Sequence, residues 1–155
     1  MKTLITWIIW LEIVASVIIF SYHPQVKPIQ INHDARPAKL AQFMDKYHFK
    51  RPYYIHEFIK SADKNSIDFA LLPSIELIES SGNKRYIQGT SNPFGWCSDK
   101  CSFKNIPDAI DYISAQLGNG KYYKGKTLRE KLRAYNPNPR YGVEIINLMA
   151  QVNKY

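Results

Sequence analysis

The carboxylate of Glu79 sits in an unusual place. The run LLPSIELIES, residues 71–80, is apolar at six of its ten positions, and a serine and a glycine follow it. Placed on a helix at about 100° per residue, Leu71, Leu72, Ile75 and Ile78 form an apolar stripe, with Glu79 inside it and Glu76 at its margin. A carboxyl group on such a face ionises reluctantly, because apolar surroundings disfavour the charged form. The negative end of the helix dipole in the last turn opposes ionisation further. A carboxylic acid that keeps its proton near neutral pH is what general acid catalysis requires. The residue types also allow a plainer role, a structural glutamate paired with Lys84 or Arg85.

Cys97 and Cys101 are the only cysteines, four residues apart in C-S-D-K-C. A structural zinc site needs four ligands, and no histidine pair lies near them, so no metal is expected. In an oxidising compartment the two thiols close a short loop as a disulfide; in a reducing one they stay free.

These groups must be held by the surrounding elements. Leu40, Phe43, Met44 and Tyr47 recur at helical spacing from Ala38 onward, and Ile55, Phe58, Ile59 and Ala62 continue a second stripe, with Pro52 suited to a first helical turn. Asp68 is the expected N-cap of the Glu79 helix and Gly82 its C-terminal stop. Pro73 should cost that helix one backbone bond. Residues 84–104 carry turn signals interleaved with aromatics, the pattern of a small β-hairpin or structured loop. A further helix follows from Pro107 to Leu117, with Ala109, Ile110, Ile113 and Leu117 on one face and Gly118 and Gly120 ending it. Thr127 and Glu130 have capping-box spacing, and Asn138-Pro139 gives a cap followed by a first-turn proline. The last helix carries Val143, Ile146, Met149, Ala150 and Val152. The body is therefore expected to be mainly α with one small β or loop lobe after the Glu79 helix.

The chain has 155 residues, 45% hydrophobic and 22% charged, which fits one globular domain rather than a disordered chain. Residues 1–21 contain LITWIIWLEIVASVIIF, a run of 17 with one charge and at the short end of what spans a bilayer, so an uncleaved anchor or a signal peptide is expected there. Residues 22–37, with Pro24, Pro28 and Pro37, are a linker, and 38–155 the folded domain. The body is expected outside the cytoplasm. The net charge of +8 favours an anionic partner. Scattered cations and a leading apolar segment argue against nucleic acid.

Beyond residue chemistry, the chain resembles the lysozyme-like superfamily of peptidoglycan-cleaving enzymes over roughly Ile55 to Val152. The stretch "LLPSIELIESSGNK" is similar to the helix in which a Glu-Ser pair carries the catalytic acid. "TSNPFGW" is similar to the Asn-x-Phe-Gly stretch that lines the sugar cleft of bacterial endo-β-N-acetylglucosaminidases, and "FKNIPDAIDYISAQL" to the helix that follows. "LRAYNPNPRYGVEIINLMAQV" resembles both the Ala-Tyr-Asn segment of lytic transglycosylases and the Tyr-x-x-x-Pro-x-Tyr end of the glucosaminidases.

The resemblance implies a lysozyme-like α+β fold and cleavage of peptidoglycan glycan strands by a monomeric enzyme that needs no cofactor. Glu79 would be the general acid and Tyr135 its neighbour, with Asn92, Phe94, Trp96 and Asn136 contacting sugar and Tyr122-Tyr123 at the rim. Glycosidases usually employ two carboxylates. Asp99, in the cysteine loop, is the candidate for the second, since Glu76 lies too close along the same helix to reach the opposite face of a sugar. A lytic transglycosylase needs only one, because the substrate's own hydroxyl is the nucleophile and an anhydro-sugar results. A non-catalytic wall-binding protein is the remaining alternative.

Overall fold

A computed structural model describes residues 34–98 and 100–155. The expected anchor, linker residues 22–33 and Asp99 fall outside the described residues. Within the described residues there are six helices and no strand: α1 Arg36–Lys46, α2 Ile55–Asn65, α3 Leu71–Ser80, α4 Ile106–Asn119, α5 Leu128–Tyr135 and α6 Pro139–Lys154. The mainly α expectation holds. Residues 81–105 are a chain of turns, the loop form of the expected lobe, with one backbone bond from Phe103 N to Thr90 O (2.8 Å) joining its two sides. None of these helices is long and apolar enough to cross a membrane.

The last three helices begin at side-chain caps, whereas α1, α2 and α3 start without one. Thr127 and Glu130 make the full capping box, Asn138 accepts from Arg140 N (3.0 Å), and Asn105 accepts from Asp108 N (2.8 Å), so α4 begins one residue earlier than Pro107. Ser81 and Gly82 both take left-handed backbone angles at the end of α3, the stop expected at Gly82.

Four expectations about the helices need correction. Pro52 precedes α2 rather than entering it, because Tyr54 takes a left-handed conformation that breaks the chain direction (φ 49°). Asp68 sits ahead of α3, where its carboxylate accepts from Ala70 N (2.8 Å). Pro73 therefore falls in the first turn, where a missing N–H costs nothing. Gly118 lies inside α4, not after it. A Cβ there would stand 2.3 Å from the Asn65 carbonyl oxygen, so the glycine is what lets α4 cross α2 at close range.

The core gathers Leu40, Phe43 and Met44 of α1, Phe58 and Ile59 of α2, Leu71, Leu72 and Ile75 of α3, Ile110, Ile113 and Leu117 of α4, and Leu132 of α5. From α6 it takes Tyr141, Ile145, Leu148, Met149 and Val152, a stripe displaced from the expected one: Val143 is 51% exposed. Helix α3 packs against α6, which brings Glu79 toward Tyr141.

Candidate active site

The stripe assigned to α3 is rotated in the folded chain. Leu71, Leu72 and Ile75 are buried as expected, but Ile78 is 38% exposed and Glu79 half-buried, while Glu76 is only 2% exposed. Burial pushes Glu76 up to about 8, with no basic group opposing the rise. Tyr54 is the tyrosine whose titration its charge reaches. Glu76 thus faces the interior and has no access to a substrate.

Glu79 faces a cavity of about 300 Å³, lined also by Arg85, Tyr86, Ile87, Thr90, Asn92, Pro93, Gly95 and Ser98. Burial raises its pKa above the ordinary carboxylate range, and the Tyr141 hydroxyl that faces it partly offsets the rise. The two groups stand outside hydrogen-bonding geometry, so the Tyr141 hydroxyl is buried without a partner among the described residues. Nor does Glu79 form an ion pair with Lys84, Arg85 or any other described cation. The structural pairing that the sequence left open is not made.

One wall of the site is backbone. Gly95 has φ 63°, and a Cβ placed on it would lie 2.7 Å from Glu79 Oε2. The loop can therefore press its main chain against the carboxyl only because residue 95 has no side chain. Changing Gly95→Ala adds both a collision with the acid and left-handed strain, and should lower any Glu79-dependent activity at least tenfold, read as initial rate on the same substrate. Unchanged activity would show that the contact is unimportant.

The lobe is anchored by residues that the sequence suggested would touch sugar. Phe94 is fully buried, edge-on to Phe58 at 6.2 Å between ring centroids; it is a core residue, and burying a side chain of that size contributes about 1.5–3 kcal/mol. Asn92 spends its amide internally. Its Nδ2 donates to Trp96 O (2.8 Å) and Cys101 O (3.2 Å), and its Oδ1 accepts from Trp96 N (3.2 Å), so it clamps the loop although it lines the cavity. Asn136 shapes the α5–α6 turn by accepting from Asn138 N (3.0 Å). Of the three, Phe94 is the correction: its ring is spent on the core against Phe58 and is closed to sugar.

Tyr135 lies where the resemblance implies, near Glu79, whose charge helps to raise its already burial-raised pKa. Its hydroxyl does not bond the acid. It donates to Phe94 O (2.5 Å) and so ties α5 to the lobe beside Gly95. Trp96 is the hub of an aromatic cluster, 5.6 Å from Tyr135, 6.0 Å from Tyr123 and 6.2 Å from Tyr112 between ring centroids, and Tyr135 stacks on Tyr141 at 6.0 Å. Tyr123 is buried in this cluster, whereas Tyr122 is 78% exposed. Sequence reading missed Tyr141 and the part played by Gly95. The Tyr-x-x-x-Pro-x-Tyr spacing, which ends at Tyr141, was the available signal for the first.

Cys97 and Cys101 form a disulfide with a Cα–Cα distance of 5.7 Å, within the normal range. Intact mass under non-reducing conditions should be lighter by two hydrogens than the reduced chain, with no alkylatable thiol; two modified cysteines would refute the bond.

No protein-family model, no curated protein and no solved structure matches this chain.

Proposed function

We propose that this protein is a glycosidase that cuts the β-1,4 glycan strands of peptidoglycan, with Glu79 as the general acid, on a lysozyme-like arrangement of helices and lobe. The observation that carries this reading is the Glu79 carboxyl itself: half-buried, raised in pKa by desolvation, unpaired with any described cation, and facing a cavity. Such a group keeps its proton to higher pH than an exposed carboxyl does and can deliver it to a glycosidic oxygen. Tyr135 and Tyr141 act as positioning residues, bracing the loop and walling the carboxyl. Trp96 and the exposed Tyr112 offer aromatic surface to sugar at the edge of the cluster.

The charge of +8 suits a wall carrying carboxylates and other anionic groups. The disulfide suits an extracytoplasmic site, reached through the N-terminal apolar segment as anchor or signal.

Hydrolysis and transglycosylation remain two forms of this reading. Glu79 is the one carboxylate lining the cavity among the described residues, and transglycosylation needs no other. Hydrolysis would call for a second group, with Asp99 the candidate. Mass spectrometry of muropeptides released from purified peptidoglycan tests the proposal and separates its forms. Reducing-end sugars mark a glucosaminidase and 1,6-anhydro ends a transglycosylase. A chain that binds the wall and releases nothing is a wall-binding protein.

A further inference from the structure

A second cavity, of about 370 Å³, lies between α5 and α6 and shares no lining residue with the Glu79 cavity; Arg129, Arg133, Pro137, Asn138, Pro139, Gly142, Val143 and Ile146 surround it. Its composition is divided. Arg129 and Arg133 stand one turn apart on the same face of α5, and among the described residues neither guanidinium forms an ion pair. Opposite them the surface is apolar, with Val143 51% exposed.

The surrounding sequence is strongly basic. Between residues 121 and 146 the chain carries Lys121, Lys124, Lys126, Arg129, Lys131, Arg133 and Arg140 against two acids, Glu144 and Glu130, the latter's carboxylate occupied by the Thr127 capping box. We infer that this groove is a docking site for an acidic peptide segment of a partner protein, which places carboxylates on Arg129 and Arg133 and an apolar side chain on Val143 and Ile146. Planar guanidinium forks match carboxylates two bonds at a time. The apolar half sets a peptide apart from a bare polyanion, which would leave it uncovered. The concavity sets it apart from a flat anionic bilayer. A second copy of this chain, itself at +8, is repelled rather than attracted overall. This inference is independent of the glycosidase reading.

The test uses the full chain and two fluorescent peptides, Glu-Asp-Leu-Asp-Glu and the same peptide with Ser for Leu. Binding is followed by anisotropy and mapped by amide chemical shifts. The expected result is that the leucine peptide binds more tightly than its serine counterpart, with shifts centred on α5 and the start of α6. The exposed double change Arg129→Gln/Arg133→Gln should weaken it at least tenfold. Val143→Ser should remove the preference for leucine while leaving the serine peptide unaffected. Equal binding of the two peptides overturns the inference, as do shifts centred elsewhere or an unaffected arginine variant. Binding to phosphatidylglycerol vesicles but to neither peptide would mark a membrane-contact surface instead and also overturns it.

Discussion

Changing Glu79→Gln should reduce muropeptide release from purified peptidoglycan by at least about a thousandfold, a loss on the scale that a positioned proton donor supplies. The amide keeps the shape of the side chain and cannot donate an acidic proton. The fold should survive. Because burial raises the native pKa of Glu79 above its unfolded value, the carboxyl releases its proton less readily in the folded chain, and near neutral pH it opposes folding. Removing the ionisable group should therefore leave thermal stability equal or slightly higher. The wild-type rate should fall as pH rises through the Glu79 pKa, giving an alkaline limb above the ordinary carboxylate range. A Glu79→Gln protein that digests peptidoglycan at the wild-type rate would end the proposed mechanism.

The largest stability effect should come from the neighbouring acid, through Glu76→Gln. Burial pushes the folded-state pKa of Glu76 up to about 8, against an ordinary value of 4.5. Below the unfolded pKa both states carry the proton and the group costs nothing. Between the two values the unfolded chain ionises while the folded chain does not, so stability declines as pH rises. Above about pH 8 the penalty is complete. At about 1.4 kcal/mol for each pH unit above the unfolded value, the penalty at pH 7 is about 3 kcal/mol. Glu76→Gln should thus stabilise the protein by about that much at pH 7, by less at pH 5 and by more at pH 9, measured by urea denaturation. Its peptidoglycan digestion should stay close to wild type, since Glu76 faces the interior. Parallel pH-stability curves for variant and wild type would show that Glu76 is not held protonated.

The contrast between these two glutamates explains what the sequence could and could not reveal. Periodicity located the helix, and the motif resemblance singled out Glu79. The helical wheel, however, assigned the deepest burial to Glu79 and the margin to Glu76, and the folded chain reverses them. A wheel records angles within one helix. It carries no information about which flank α6 covers and which flank the returning loop leaves open. The caps at Thr127 and Asn138 were legible because their hydrogen bonds are local. Gly118 was misread as a terminator because its reason is a contact with Asn65, more than fifty residues away. Phe94 was misread for the same kind of reason. Whether a loop aromatic meets solvent or core depends on partners such as Phe58, contributed by another element.

The ring cluster around Trp96 has an optical consequence. Trp96 is the only indole outside the first ten residues, and three phenols surround it at 5.6–6.2 Å between centroids. With Trp7 and Trp10 replaced by phenylalanine, ultraviolet emission would come from one fluorophore, in the loop that packs against Glu79. Light absorbed by Tyr112, Tyr123 and Tyr135 would pass to it efficiently. The colour and intensity of that emission would then register, without any label, each change in hydration or ring packing as a sugar chain enters or leaves.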